Sequence, residues 1–241
     1  AVGVFNIVNN PLESLLANIR GTENVLEAGH KAGVPVFLTS SSEVYGKNNA
    51  TSIRESDDRI LGSPTILRWS YSEAKAIGES LCYAYYIEKD LEVRIVRFFN
   101  TVGPRQASHY GMVLPNFIST ALKNQPLQVF GDGKQSRVFC HVSDASRAVV
   151  ELLSSESSIG EVFNVGGTEE ITISNLAERV IKVTDSKSKI EHISYEKAYG
   201  DGFEDMQRRV PDNSKLRKLT GWQAKIDLDE AILDIAKSLT L

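Results

Sequence analysis

The chain has 241 residues, 41% hydrophobic and 24% charged, the balance of a soluble globular protein long enough for one large domain or two small ones. Its formal net charge of −4 argues against general nucleic-acid binding, no apolar run reaches the roughly 18 residues that a membrane span needs, and no Cys/His cluster has zinc spacing. The opening "AVGVFNIVNN" lacks a basic region and a long apolar core, so no signal peptide is expected. Cys82 and Cys140 sit among apolar or aromatic neighbours. They read as reduced core thiols of a cytoplasmic chain, a disulfide being the lesser alternative.

In chain order, "PLESLLANIRGTENVLEAGHKAG" predicts a helix, with Leu12, Leu15, Ile19, Thr22, Val25 and Leu26 at three- and four-residue steps and Gly33 suited to its end. "VPVFLTS" is a short apolar run ending in hydroxyl residues, the pattern of a buried parallel strand opening into a loop. Residues 46–69 read as a long polar loop. "LRWSYSEAKAIGE" starts a helix running to about Lys89 and sets Tyr71 and Lys75 four residues apart on one face. "LEVRIVRFFN" is the next strand, ending at Asn100, and "GEVFNVGG" is a further one. "MVLPNFISTALKNQ" reads as a helix and "LQVFGDG" as a strand entering a turn. Later helices are "ISNLAERVIKVT", "NSKLRKLTGW" and "LDEAILDIAKSL", the last with an apolar stripe of Leu228, Ile232, Ile235 and Leu239.

Strands alternating with helices imply a parallel sheet, whose ligands bind beyond the carboxyl ends of the strands. Ser40, Ser41, Ser42 and Asn100 all fall there. Spacing alone leaves Tyr71 and Lys75 best explained as an exposed helix with one aromatic and one charge, since such pairs arise by chance.

Five segments in order change that reading: "TSSSEVYG", "YSEAK", "RFFNTVGPRQ", "GDGKQSRVFCHVSD" and "RRVPDNSKLRKLTGW". Together they resemble the extended short-chain dehydrogenase/reductases that act on nucleotide sugars, notably NAD-dependent UDP-glucose 4-epimerase-like enzymes. The resemblance implies an α/β fold: a partial Rossmann-type parallel sheet with helices on both faces and a smaller C-terminal substrate lobe. It assigns 1–107 and about 137–166 to the NAD-binding part, and 108–136 and 167–241 to the lobe. It also exposes a departure. The family opens with a strand and a G-x-x-G-x-x-G turn that holds the NAD pyrophosphate at a helix N-terminus. No such turn stands in this sequence, and "AVGV" matches the stretch after the family's fourth strand. The expectation is the later part of such an enzyme, binding NAD weakly by itself.

Roles follow from the resemblance. Tyr71 matches the base that takes the proton from the sugar C4 hydroxyl, with Lys75 lowering its pKa and Ser41 sharing the C4 oxygen. Asn18, Ser40, Tyr71, Lys75 and Phe98 are implied NAD contacts. Ser42, Asn100, Val113, Leu114, Arg137 and Arg209 are implied contacts to a UDP-sugar, Arg208 being the neighbour confusable with Arg209. A homodimer through the two long helices is implied as well. The expected reaction is C4 epimerisation through a 4-keto sugar. Dehydratases of the family carry Thr-Asp-Glu where this chain has Ser41-Ser42-Glu43, and decarboxylases carry Thr-Ser-Glu. Glu43 therefore keeps a UDP-glucuronate decarboxylase as the alternative. A non-catalytic remnant is the other reading.

Overall fold

The computed structural model describes residues 3–106, 112–199 and 204–240. A short helix α1 (Val4–Asn9) precedes α2 (Pro11–Ala32), then β1 (Val36–Ser41). After the long loop come α3 (Ser70–Lys89), β2 (Val93–Phe98) and β3 (Thr101–Val102). The middle of the chain gives α4 (Val113–Leu122), β4 (Leu127–Phe130), β5 (Ser136–Arg137), β6 (Cys140–His141) and α5 (Val142–Leu153). The remainder is β7 (Val162–Val165), β8 (Ile171–Thr172), α6 (Ile173–Val183), β9 (Ile190–Ile193), α7 (Tyr195–Tyr199), β10 (Arg208–Arg209), α8 (Ser214–Thr220) and α9 (Leu228–Thr240).

The main sheet has the order β1-β2-β7, and both pairings are parallel. This is the α/β arrangement expected, with "VFLTS" and "RIVRF" as neighbours. The register sets Ser41 beside Phe98, so both strands end at one level. Helices cover both faces. On one, Leu26 of α2 and Cys82 of α3 pack on Val36, Leu38, Val93 and Ile95. On the other, Ala145, Ala148 and Leu152 of α5 join Val96, Phe163, Val165, Leu216 and Trp222. A separate core joins α4, α6, α9 and β4 through Leu114, Ile118, Leu127, Leu176, Val180 and Ile232. Each such fully buried aliphatic side chain contributes about 1.5–3 kcal/mol of transfer free energy. Both cysteines are buried and unpaired.

Helix α2 stops where the sequence indicates. Gly33 takes the left-handed conformation, φ 63°, and its N–H bonds back into the last turn, a geometry that glycine adopts without Cβ strain. Helix α5 was not among the helices expected from the sequence, although its apolar period is well marked. The two-residue strands also escaped, being shorter than any periodic signal. The 46–69 loop is pinned by bridges from Gly46 to Ile60 and from Ile53 to Pro211. Beginning at residues 1–2, "AVGV" lies partly outside the described residues, as does the 107–111 boundary of the expected lobe.

Candidate active site

The end of β1 is shaped by its own side chains. Ser41 Oγ accepts the backbone N–H of Glu43 at 3.2 Å, turning the chain into a 3-10 turn over residues 42–45. A second 3-10 turn, Leu67–Trp69, delivers the chain into α3. Tyr71 lies in the first turn of α3, buried, with the Ser41 hydroxyl near enough to act on its phenol. Burial pushes the Tyr71 phenol up to about 12, and the charge on Glu43 adds to this, against Ser41 and Arg209. Lys75 is on the same helix face, with Nζ 5.8 Å from the Tyr71 ring centre, but it donates to the Thr39 carbonyl at 2.9 Å. In this geometry the ammonium is turned to the strand backbone. Burial lowers the pKa of Lys75 itself.

Beside this cluster runs a chain of alternating charges. Both terminal nitrogens of Arg68 meet Glu43, at 2.6 and 3.2 Å. Arg209 holds the same carboxylate and donates to Asn100 Oδ1 at 2.5 Å. Arg68 also stands 3.7 Å from Asp205, which accepts two bonds from Arg137 at 3.2 and 3.3 Å. Burial works to raise the Glu43 pKa, but Arg68 and Arg209 outweigh it and hold the carboxyl well below its usual range. Asn100 has φ 40°, a left-handed conformation that asparagine tolerates, and donates to the Val138 carbonyl at 2.8 Å.

Tyr71, Asn100 and the arginine–carboxylate chain share one cavity of about 800 Å³, a size suited to a small-molecule ligand, while Lys75 is not among the residues that line it. Ser40, Ser41, Ser42, Glu43, Tyr71, Phe98, Asn100, Val113, Arg137 and Arg209 all line it, as the sequence reading grouped them. Leu114 does not. Its side chain turns into the lobe core, since successive helix residues face different ways, leaving only its backbone at the helix start. Asn18 does not line the cavity either; it donates to the Ser14 carbonyl one turn earlier in α2. Arg208 points away and pairs with Glu170, which removes the confusion with Arg209. Sequence reasoning missed Arg68 and Asp205. Their only signal was proximity: Arg68 is three residues before Tyr71, and Asp205 four before Arg209.

Behind the strand ends lies a second network. Ser40 Oγ donates to Glu79 at 2.5 Å, and Arg97 clasps Glu79 with bonds of 2.6–3.2 Å. Arg97 also donates to the Tyr45 hydroxyl at 2.8 Å, which donates to Asn164 at 2.8 Å. Tyr71, Lys75 and Glu79 follow at four-residue steps, so Glu79 anchors the face of α3 that carries the other two.

The sequence pattern of the NAD dependent epimerase/dehydratase family matches residues 2–166. A UDP-N-acetyl-alpha-D-glucosaminuronate decarboxylase of Bacillus cytotoxicus is 38% identical over 96% of this chain and 71% of its own length. UDP-glucuronic acid decarboxylase 1 of Danio rerio is 35% identical over 94% of the chain, which spans 52% of that relative. Among solved structures, a UDP-glucuronic acid 4-epimerase from Bacillus cereus, in complex with UDP-glucuronic acid and NAD, superposes with a TM-score of 0.82 at 26% identity, covering 93% of this chain and 68% of that one. An epimerase from Methanothermobacter thermautotrophicus gives 0.89 at 25%, covering 100% and 69%. The strand-end serines, the Tyr71–Lys75 helix and the family pattern agree: this chain belongs to the NAD-dependent epimerase/dehydratase family.

Proposed function

We propose that the chain carries the catalytic and substrate-binding part of an NAD-dependent decarboxylase acting on a UDP-uronate. The observation that carries this reading is the run of decarboxylases among its curated relatives, at 33–38% identity over more than nine-tenths of the chain. It turns the sequence expectation of C4 epimerisation toward its alternative. The epimerase neighbour was solved with UDP-glucuronic acid, so the two readings share a uronate and differ in the fate of C6.

The charge balance of the cavity supports an anionic substrate. Arg68, Arg137 and Arg209 pair with Glu43 and Asp205, leaving one positive charge in excess among these five groups. The forks of arginine suit diphosphate and carboxylate oxygens. The residues also fit the nicotinamide end of NAD: Tyr71, Ser40 and Phe98 all line the cavity, and Lys75 uses one of its three N–H donors on Thr39. When bound, NAD accepts hydride from the sugar C4.

The chemistry assigned to the chain's own residues is then as follows. Tyr71 takes the C4 hydroxyl proton while Ser41 orients the oxygen. The 4-keto sugar is a β-keto acid and loses its C6 carboxylate as carbon dioxide. The enolate charge left behind falls on O4, where the protonated Tyr71 and Ser41 can donate to it; uptake of a proton at C5 and return of the hydride to C4, with Tyr71 giving its proton back to O4, would complete a UDP-pentose. Glu43, held ionised, acts as a fixed charge and not as a neutral-pH acid.

The two-part division proposed from sequence is supported by the separate α4–α6–α9 core. Its boundary needs adjustment, because Leu216 and Trp222 pack on the sheet. The two long helices carry exposed Leu12, Val25, Ile77 and Ile87, which supports dimerisation through α2 and α3. Incubating the full gene product with NAD and UDP-glucuronate, UDP-N-acetylglucosaminuronate or UDP-glucose tests the reading. Carbon dioxide and a UDP-pentose are expected from a uronate. Inversion at C4 with the carboxylate retained would overturn decarboxylation in favour of the epimerase.

A further inference from the structure

Glu43 is held by two arginines that differ in how they are held themselves. Arg68 is 3% exposed, gives one terminal nitrogen to each Glu43 oxygen, and stacks 5.3 Å from the centre of the buried Trp69 ring. Trp69 is fixed in turn by its Nε1–H donating to Glu204 at 2.8 Å. Arg209 reaches a single Glu43 oxygen and gives its other terminal nitrogen to Asn100. The first arrangement commits both terminal nitrogens to one carboxylate. The second divides them between Glu43 and a strand-end residue of the cavity.

We infer that Arg68 is the positioning residue for Glu43, leaving Arg209 as the arginine able to turn toward substrate. Position in the chain gives the clamp its reach. Ser41 meets Tyr71, and two residues further Glu43 meets Arg68, three residues before Tyr71. The end of β1 and the start of α3 are thus joined twice, so displacing Arg68 disturbs Glu43 and the base together. The groups facing Glu43 are Arg68 from the 3-10 turn, Arg209 from β10, Tyr71 from α3 and, at longer range, Arg137 from β5. Arg68 is the one with two bonds to it, and an opposite charge at that range typically moves a carboxyl pKa by about one to three units.

The catalytic arm of this inference rests on the decarboxylase reading; the titration arm does not. In the full gene product, Arg68→Met should raise the Glu43 pKa by about one to three units. This is read from the carboxyl carbon resonance of labelled glutamate, assigned by its disappearance in Glu43→Gln. With a UDP-uronate, kcat should fall about a hundredfold, the scale of an ångström-sized misplacement, and its acid limb should move up while KM changes little. Arg68→Lys restores the charge without the fork. It should keep Glu43 ionised but still turn over roughly tenfold slower, because one ammonium cannot hold both oxygens. An unchanged Glu43 titration in folded Arg68→Met, or wild-type kcat in either variant, would overturn the assignment. Should Arg68→Met fail to fold, Arg68→Lys decides by its kcat or, with a substrate of another class, by whether Glu43 stays ionised. A wild-type enzyme that releases no carbon dioxide from any uronate defeats the decarboxylase reading alone, and the titration still decides Arg68.

Discussion

Two polar networks meet at the ends of β1 and β2, one behind the strands and one in the cavity. Behind the strands, Ser40, Glu79, Arg97, Tyr45 and Asn164 form a closed set in which no buried side-chain polar atom lacks a partner. In the cavity, Glu43 and Asp205 are outnumbered by Arg68, Arg137 and Arg209, and the Nε of Arg209 is buried with no partner among the described residues. Protein interiors ordinarily satisfy such groups. The closed network therefore reads as scaffold, and the open one as the part whose charge suits the anionic substrate proposed. Tyr71 stands between them, on the helix that one network anchors and beside the carboxylate that the other clamps.

The largest effect is expected at that junction. Tyr71→Phe in the full gene product removes the proton acceptor and keeps the ring that packs. Turnover should fall by about two to four powers of ten, the usual scale for a positioned acid–base group. The loss should fall on kcat, with nucleotide affinity and melting temperature near wild type. Near-normal turnover would remove Tyr71 from the chemistry, whichever sugar is used.

Arg97→Met tests the closed network. It leaves Glu79 buried without its partner, which typically costs about 3–5 kcal/mol. Chemical denaturation should show this as a lower midpoint at unchanged slope. If stability hardly changes while turnover collapses, the closed network is catalytic and not scaffold.

What could be read without coordinates divides along the same line. Strand ends and helix faces are local facts. Thus "VFLTS" placed Ser40 and Ser41, and a four-residue step placed Lys75 beneath Tyr71. The amphipathic helices α2, α6 and α9 were legible from their periods. The arginine–carboxylate chain is not local. Arg68 meets Glu43 across 25 residues, and Arg137 meets Asp205 across 68. An arginine in "LRWSY" looks like any solvated surface charge until the fold buries it. The direction of the Lys75 ammonium was equally hidden, because spacing fixes the face of a residue and not the end of a four-carbon stem.

Acid gives a third, smaller separation of the networks. The folded-state pKa of Glu43 lies below its unfolded value of about 4.3. Its contribution to stability is thus fully present above that value and is lost as pH falls toward the folded pKa, where the native state must also take up the proton. The open network should therefore weaken in acid. Following the unfolding midpoint from pH 6 downward should show a steeper decline in wild type than in Glu43→Gln. Parallel curves would mean that Glu43 is not held as a charge.

The smallest effect belongs to an ion pair outside both networks. Lys47 meets Glu204 at 3.1 Å, with the two side chains 38% and 34% exposed. Its ammonium also lies 5.9 Å from the Trp69 ring, so by position it is a neighbour of the Arg68 clamp. Position and energy part company here. A pair this open to water repays little of the side-chain entropy it costs, and such pairs typically contribute about 0.2–1 kcal/mol. Glu204 also keeps its bond from the Trp69 indole when the lysine is gone. Lys47→Ala should lower stability by under about 1 kcal/mol, with most of that loss already present in high salt, where screening has weakened the pair. Turnover should be unchanged. If instead Lys47→Ala costs as much as Arg97→Met, burial is not what separates the networks. If it slows turnover as Arg68→Met does, the clamp extends past Trp69 to the rim.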